Sequence, residues 1–357
     1  MSTPLFIVGT GRCGSTMLSN LLKHHPKILS ISEFFSFVTD LGSLIDEAFP
    51  ADAISAEQFW KILDNRYAKQ NLMLRHGIAM QEVLYPYQDP NAYFNADSGV
   101  PAIAQTTLPF LTPDHDALYF RLRDYVHTLP TANIGTHYQN VFDWLTETFA
   151  CHLWVERSGG TLRCIKELLT TFPNARFIHI VRDGRDCAIS MSQHYGFRMV
   201  VIAFALTGML SVDPFEDSTR SEIEDVTDEY YPFLPEHFDV EAFKAFHKPP
   251  SFYARYWSSE IRNNLIYLQE LPKERVLTMR YEDFLQQPKE SCYQLLNFID
   301  PTLIDQDWLN QASQQIRQPT QSHTNLSEQE LSRLTLACQA GLDVLMNAYP
   351  ELNWAAI

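Results

Sequence analysis

The feature that most constrains this chain is a glycine-rich stretch, FIVGTGRCGSTML, at residues 6–18. An apolar run leads into Gly9, and Gly14 follows at the spacing of the phosphate-binding pattern G-x-x-x-x-G-K-[ST]. Glycines at these positions let the backbone turn sharply and bring its N–H groups close to an anion. The sequence therefore predicts a strand, an anion-binding turn and a helix. The candidate anion-binding residues are Gly11, Arg12, Cys13, Gly14, Ser15 and Thr16.

The lysine of that pattern is absent. Ser15 stands in its place, and Arg12 is the only strong cation within the turn. In a triphosphate site the lysine reaches the β- and γ-phosphates, and a hydroxyl and an acidic residue hold magnesium. Here Asp183 follows its apolar run only after Arg182, so the acidic position is also altered. The sequence therefore predicts a site for two separate phosphate groups, without a metal.

Short apolar runs predict strands at residues 5–8, 177–181 and 276–279, with a weaker one at 28–31. Apolar residues at helical spacing predict helices over 15–25 and 161–171. The first strand, the first helix and the weaker strand form a βαβ unit. The pattern indicates an α/β fold with a central parallel sheet flanked by helices.

Ligands of such sheets bind beyond the carboxyl ends of the strands, so the residues there are candidates for function. Glu33 follows the weaker strand and is a candidate general base, with a surface glutamate or an ion-pair partner of an arginine as the alternatives. Arg182 and Ser190 suit a phosphate, although Arg182 could instead pair with a nearby aspartate. Tyr281 follows the last strand and either lies against a nucleotide or belongs to the core.

Composition excludes several classes of protein. The chain has 357 residues and a formal net charge of −16, which argues against broad nucleic-acid binding. Six cysteines without C-x-x-C spacing predict neither a disulfide framework nor structural zinc. The N-terminal residues do not resemble a signal peptide, and the longest apolar stretch, 199–210, is too short to span a bilayer. We expect a cytoplasmic protein with no membrane span, and a homo-oligomer is left open.

We expect a single domain over residues 1–357, with two segments of distinct amino-acid composition. Residues 34–150 are rich in aromatic residues and proline, which predicts a substrate-facing insertion, with an ordinary helical layer as the alternative. Residues 196–250 contain the acidic stretch 216–231 and predict a mobile cover, with a solvated surface segment as the alternative.

Three segments together resemble the sulfotransferases that use 3′-phosphoadenosine 5′-phosphosulfate (PAPS). FIVGTGRCGSTMLSNLLKHHP is similar to their 5′-phosphosulfate loop, and FPNARFIHIVRDGRDCAISMSQH is similar to their 3′-phosphate segment. RYEDF, at residues 280–284, resembles a third recurrent segment. An arginine in the first loop, Arg12, is typical of tyrosylprotein-type and several bacterial members. The resemblance implies a three-layer, P-loop-like fold.

The resemblance also implies a role for each matching residue. The loop residues Gly11 to Thr16 would hold the 5′-phosphosulfate, Arg182 and Ser190 the 3′-phosphate, and Tyr281 the nucleotide. Glu33 matches the catalytic base of the tyrosylprotein-type enzymes. Arg157, in WVERSGG, stands where relatives have a lysine that touches the transferring group. The predicted catalytic residues are Glu33, Arg12 and Arg157.

Several assignments stay open. His323 and His137 are alternative bases, and Arg317, Ser322 and His323 are candidate nucleotide contacts near the C-terminus. The implied reaction transfers the sulfuryl group of PAPS to an acceptor hydroxyl. The phenylalanines after Glu33 and the apolar residues 197–210 favour an apolar small-molecule or carrier-bound acceptor, although the phenylalanines could simply be core. A non-catalytic nucleotide-binding module and a metal-dependent nucleotide kinase are the alternative functions.

Overall fold

A computed structural model describes residues 3–216, 226–318, 323–352 and 354 of the chain. Within these residues the strands are β1 (Leu5–Val8), β2 (Ile28–Ser32), β3 (Leu153–Arg157), β4 (Arg176–Val181) and β5 (Val276–Arg280). They form one sheet in the order β2-β3-β1-β4-β5, and every neighbouring pair is parallel.

The described residues also form α-helices and several 3₁₀ turns. The helices are α1 (Ser15–Lys23), α2 (Phe34–Val38), α3 (Ile45–Ala48), α4 (Ala56–Asp64), α5 (Ala68–Arg75), α6 (Ala102–Gln105), α7 (Thr107–Leu111), α8 (His115–Val126), α9 (Ile134–Thr148), α10 (Ile165–Thr171), α11 (Gly184–Ser192), α12 (Tyr195–Leu210), α13 (Val240–Ala245), α14 (Pro250–Gln269), α15 (Tyr281–Gln286), α16 (Pro288–Ile299), α17 (Gln306–Gln315) and α18 (Glu328–Ala348). The 3₁₀ turns are Thr161–Cys164, Tyr231–Phe233, Pro235–His237, Lys273–Arg275, Pro301–Leu303 and His323–Asn325.

The sheet is covered on both faces. Every residue of β1 and β2 is buried, and successive side chains of a strand point to opposite faces. Phe6 of β1 lies within aromatic contact distance of Phe35, Trp154, Phe172 and Phe177. Burial on both faces explains why these strands read as continuous apolar runs, as is usual for parallel sheets. The predicted α/β fold with a parallel sheet flanked by helices is confirmed.

The strands predicted at 5–8, 28–31, 177–181 and 276–279 are present within one residue at each end. The sequence does not predict β3, which lies between β1 and β2 and ends in the charged pair Glu156 and Arg157. The helix predicted over 15–25 ends at Lys23. The helix predicted over 161–171 begins with a 3₁₀ turn and continues as α10.

Residues 34–150 form α2 to α9 and their connections. Among these helices, α7 packs against β2 and α9 packs against β3. Residues 196–250 include most of α12 and all of α13, whereas residues 217–225 of the acidic stretch lie outside the described residues. No described helix is both long enough and apolar enough to cross a membrane.

Because all strands are parallel, their carboxyl ends meet at one edge of the sheet. Gly9, Glu33, Ser158, Arg182 and Tyr281 come directly after the five strands at that edge. The chain thus brings residues from distant parts of the sequence to one place.

Candidate active site

The turn between β1 and α1 packs closely around its glycines. An added Cβ at Gly9 would lie 2.5 Å from the carbonyl oxygen of Ile180. Gly14 has a φ of 98°, in the left-handed region, and is the N-cap of α1. Since glycine has no side chain to cap the helix, the amino end of α1 faces the turn without a side-chain acceptor. Such a helix end is suited to bind an anion.

Glu33 lies at the centre of a buried network. One carboxylate oxygen accepts a hydrogen bond from the guanidinium of Arg157, and the other accepts from the hydroxyl of Ser36. That second oxygen also accepts from the backbone N–H of Gly159 at 2.9 Å. The same guanidinium donates to the hydroxyl oxygen of Thr16. Arg157 therefore connects the Glu33 carboxylate to the first turn of α1.

The backbone of Glu33 is also unusual. Its φ of 57° lies in the left-handed region, as does the φ of 62° of Arg12. Non-glycine residues adopt this conformation infrequently, and such residues cluster at functional sites. Two of the three residues predicted to be catalytic thus have strained backbones.

Arg12 pairs with a glutamate that the sequence analysis did not identify. Its Nη1 lies 2.7 Å from a carboxylate oxygen of Glu82, and its Nε donates to the hydroxyl of Ser190 at 3.0 Å. The other Glu82 oxygen lies 2.8 Å from Nε2 of His194. Burial acts to raise the pKa of Glu82, but His194 and Arg12 outweigh it and lower the pKa to about 2. Glu82 is therefore an anion at neutral pH.

Arg182 is held loosely. One guanidinium nitrogen lies 3.3 Å from the carbonyl oxygen of Arg12, and another lies 3.7 Å from a carboxylate oxygen of Asp186. The guanidinium carbon lies 4.7 Å from the ring centroid of Tyr281. The buried Nε has no hydrogen-bond partner among the described residues. Because the Asp186 carboxylate oxygen is 3.7 Å away, the outer guanidinium nitrogens keep donor capacity for an incoming anion.

Tyr281 also forms one wall of the glycine turn. A Cβ added to Gly14 would lie 2.3 Å from its ring, so the two residues are in direct contact. The Tyr281 side chain is 9% exposed and therefore partly serves as core, which was the alternative reading of this residue.

A cavity of about 690 Å³ opens at this edge of the sheet. Its polar side is formed by predicted site residues, namely Gly11, Arg12, Gly14, Ser15, Thr16, Glu33, Arg182 and Ser190. Its apolar side includes Phe37, Leu41, Phe197, Val201, Phe204 and Tyr253. The cavity thus joins an anion-binding turn and a carboxylate to an apolar volume.

Arg163 is a second residue of the cavity that the sequence analysis missed. It lies beside Gly42 and Gly160, and its charge interacts with the carboxyl group of Glu260. Neither Arg163 nor Glu82 belongs to a recognisable motif. Only the fold brings them to the cavity.

Three predicted site residues do not line the cavity. Cys13 is 1% exposed beneath the turn, and burial raises the pKa of its thiol. Arg157 is equally buried and acts on the cavity only through Glu33 and Thr16. Tyr281 lies behind Gly14.

The alternative bases lie elsewhere. His137 is fully buried, bonded at 2.9 Å to the carbonyl oxygen of Ile54 and stacked on Phe59. His323 lies 2.9 Å from the carboxylate of Asp186, on the Arg182 side of the site. The exposed Arg317 donates to nearby backbone carbonyls, and Ser322 lies outside the described residues.

Glu156 is a buried acid next to this network. It accepts a hydrogen bond from the hydroxyl of Ser158, and its second oxygen has no partner among the described residues. Burial raises the pKa of Glu156 to about 8. Burial therefore favours the protonated form of Glu156, whereas Glu33 is the acidic residue that accepts a hydrogen bond from the Arg157 guanidinium.

A comparison with protein families matches residues 4–241 to the Sulfotransferase family, which is more than half of the chain. The chain belongs to this family. It is therefore a sulfotransferase, an enzyme whose family-level activity is the transfer of sulfuryl groups, as the sequence motifs predicted.

Several solved sulfotransferases resemble it remotely. The sulfotransferase domain from the curacin biosynthetic pathway is 15% identical, with 94% of this chain and 98% of that chain covered and a TM-score of 0.41. Sulfotransferase STF9 from Mycobacterium avium is 14% identical, with 99% and 77% covered and a TM-score of 0.43. The enzyme from Alicyclobacillus acidocaldarius is 15% identical, with 100% and 99% covered and a TM-score of 0.40. A search of functionally curated proteins finds no significant match.

Proposed function

We propose that this sulfotransferase uses PAPS as donor and transfers its sulfuryl group to a hydroxyl of an apolar acceptor. The observation that carries the proposal is the juxtaposition in one cavity of the glycine turn, the Arg182 side chain and the Glu33 carboxylate. The turn and Arg182 suit two phosphate groups, and Glu33 suits the acceptor hydroxyl. No lysine or paired acid of a magnesium–triphosphate site is needed for this chemistry.

The donor side of the site would distinguish PAPS from ADP by its 3′-phosphate. Arg182 and the hydroxyl of Ser190 would bind that phosphate, and the ring of Tyr281 would hold the guanidinium in place. The amino end of α1, with Ser15 and Thr16, would bind the 5′-phosphate. Charge-assisted hydrogen bonds of this kind are roughly twice as strong as neutral ones.

On the acceptor side, Glu33 would take the proton of the hydroxyl. A carboxylate offers about four acceptor positions, and the bonds from Arg157, Ser36 and Gly159 use three of them. One position stays available for the hydroxyl. PAPS supplies the sulfuryl group, whose bond to the 5′-phosphate oxygen breaks as the bond to the acceptor oxygen forms.

Arg157 would act as a positioning residue and a source of charge. Its two bonds fix the Glu33 carboxylate relative to the first turn of α1. One side chain thus holds both the base and the donor site. This favours the reaction because less entropy is lost in bringing the reacting groups into the right orientation. Arg12 would stabilise the charge that develops on the departing 5′-phosphate.

The acceptor would lie against the apolar wall formed by α2 and α12. Phe37 from α2 and Phe197, Val201 and Phe204 from α12 line this wall. Such a surface favours an alcohol with an extended apolar body, from a small molecule or a carrier.

Thermal-shift measurements with 3′-phosphoadenosine 5′-phosphate (PAP), ADP and magnesium–ATP test the donor assignment. We expect stabilisation by PAP well beyond that by ADP, and stabilisation by magnesium–ATP alone would contradict it. Release of PAP from PAPS in the presence of long-chain alcohols then tests catalysis. PAP binding without transfer to any alcohol would favour a non-catalytic nucleotide-binding module.

A further inference from the structure

A second cavity of about 800 Å³ adjoins the first. It is lined by residues 79–81, 192–195 and 247–250 together with Arg198 and Lys244. Helix α12 thus contributes Tyr195 and Arg198 to this cavity and Phe197, Val201 and Phe204 to the first. Met80, His194 and Lys248 line both cavities. The two cavities therefore share part of their walls.

Arg198 of α12 lines the second cavity and is 7% exposed. One guanidinium nitrogen donates to the carbonyl oxygens of Phe243 and Lys244, at 2.9 and 2.8 Å. Its buried Nε has no hydrogen-bond partner, and no carboxylate of the described residues forms an ion pair with it. A buried charge without a counter-ion is costly, so an arginine in this setting favours an anionic ligand.

The other side chains of the cavity that can carry a charge at neutral pH are basic, although both lysines have acidic partners. Its described lining residues include Lys244, His247 and Lys248 and no carboxylate. Lys244 and Lys248 pair with Glu241 and Glu229, respectively, on the solvent side. His194 likewise pairs with Glu82, so Arg198 is the lining arginine or lysine that has no ion pair among the described residues.

A long helix also begins at this cavity. The amino end of α14 lies at Pro249 and Pro250, which line the cavity, and no side chain caps it. The positive end of a helix dipole adds to the attraction for an anion. Arg198 and this helix end are thus two features of the cavity wall that attract an anion.

We propose that the second cavity binds an oxyanion, a phosphate, sulfonate or carboxylate, carried by the acceptor itself. This inference rests on the proposed function, because the acceptor hydroxyl must reach Glu33 while the anionic end reaches Arg198. The acceptor is then an amphiphile: its apolar body lies against α12, and its charged end passes His194 and Lys248 into the second cavity. A neutral alcohol of the same length lacks this second attachment.

Isothermal titration of the PAP-loaded protein with octyl phosphate, octanol and inorganic phosphate tests the proposal. PAP occupies the donor phosphate sites, so that added phosphate cannot bind there. We expect octyl phosphate to bind about 10- to 100-fold more tightly than octanol, which is the gain from one or two charge-assisted hydrogen bonds. Inorganic phosphate should bind more weakly than octyl phosphate because it lacks the apolar body.

Arg198→Gln and Lys248→Gln should each remove most of the preference for octyl phosphate. The shorter glutamine at 198 removes both the charge and the hydrogen bonds to the carbonyl oxygens of Phe243 and Lys244. Lys248→Gln leaves Arg198 in place, so it tests the proposal even if Arg198→Gln fails to fold. Lys273→Gln is the matched control, since Lys273 is exposed before β5, at the opposite edge of the sheet.

Equal binding of octyl phosphate and octanol would overturn the proposal, as would a preference that survives in both variants. Inorganic phosphate that binds as tightly as octyl phosphate would show a site for a free anion, which overturns the assignment to the acceptor. If PAP itself does not bind, the proposed function fails. If PAP binds and octyl phosphate is not preferred, only the present inference fails.

Discussion

Replacing Glu82 with glutamine should tighten the binding of PAP while destabilising the nucleotide-free protein. Glu82 neutralises Arg12 across 2.7 Å, in the cavity where the 5′-phosphate is proposed to bind. A phosphate must therefore share Arg12 with a carboxylate of its own sign. Glutamine keeps the size of the side chain and removes the charge.

The magnitude follows from the interactions of Glu82 with His194 and Arg12. The pKa of Glu82 is lowered from 4.5 to about 2, and at about 1.4 kcal/mol per pKa unit the charged network stabilises the folded protein by about 3 kcal/mol. Because the pKa is lowered on folding, this stabilisation is present above pH 4.5 and is lost as the pH falls toward 2. At neutral pH Glu82→Gln should thus lower the free energy of unfolding by up to about 3 kcal/mol. Freed Arg12 should in turn lower the dissociation constant of PAP by about tenfold.

Urea denaturation with and without PAP, together with calorimetric titration, measures both effects. The loss of stability should shrink when PAP is saturating, since the nucleotide then takes the place of Glu82 as the partner of Arg12. Glu57→Gln is the matched control, because Glu57 is 73% exposed in a surface pair with Lys61. Unchanged or weaker PAP binding in Glu82→Gln would refute the placement of the 5′-phosphate at Arg12.

Three further substitutions test separate parts of the site. Arg182→Gln should weaken PAP binding by about 10- to 100-fold and ADP binding far less, whereas Arg185→Gln, which removes the ion pair to Asp183 at 2.6 Å, should preserve the preference for PAP in calorimetric titrations. Glu156→Gln should flatten the pH dependence of unfolding in urea. The pKa of Glu156 is raised on folding to about 8, so its stabilising contribution is full below pH 4.5 and is lost as the pH rises through 8. Between these pH values the free energy of unfolding of the wild type should fall by up to about 1.4 kcal/mol per pH unit more than that of the variant. Parallel pH profiles would contradict a protonated Glu156. Gly14→Ala should lower the free energy of unfolding by about 1–3 kcal/mol and displace Tyr281, because the φ of Gly14 is left-handed and the new Cβ meets the Tyr281 ring. Thermal melts measure this loss. The control Gly208→Ala, at a helical position with open space, should be neutral or stabilising in the same melts.

The sequence predicts the sheet well because its strands are buried on both faces and read as apolar runs. It does not predict β3, whose last two residues, Glu156 and Arg157, interrupt the apolar pattern. Those charges are tolerated because β3 ends at the site, where Arg157 finds Glu33 and Thr16 and burial keeps Glu156 protonated. The charged site residues at the end of β3 thus break the apolar pattern by which the sequence predicts a strand.

The site is predictable to the extent that it is local in sequence. Ser15 and Thr16 follow the glycine turn, and Ser190 lies on the helix that begins just after Arg182, so motifs reveal them. Glu82 and Arg163 belong to no motif, and they reach the cavity only because the connections fold over the sheet edge. The sequence could not predict that Glu82 pairs with Arg12, because Glu82 belongs to no motif.

The role of Glu33 is tested most directly by the rate of transfer of labelled sulfate from PAPS to a long-chain alcohol in Glu33→Gln and the wild type. The glutamine variant should still bind PAP, which also shows that it is folded, and its turnover should fall by about 100- to 1,000-fold, the usual cost of removing one catalytic group. Glu57→Gln, which removes a carboxylate at the surface, should transfer sulfate at the wild-type rate. Full turnover in Glu33→Gln would contradict the account, as would a wild-type protein that binds PAP and transfers no sulfate.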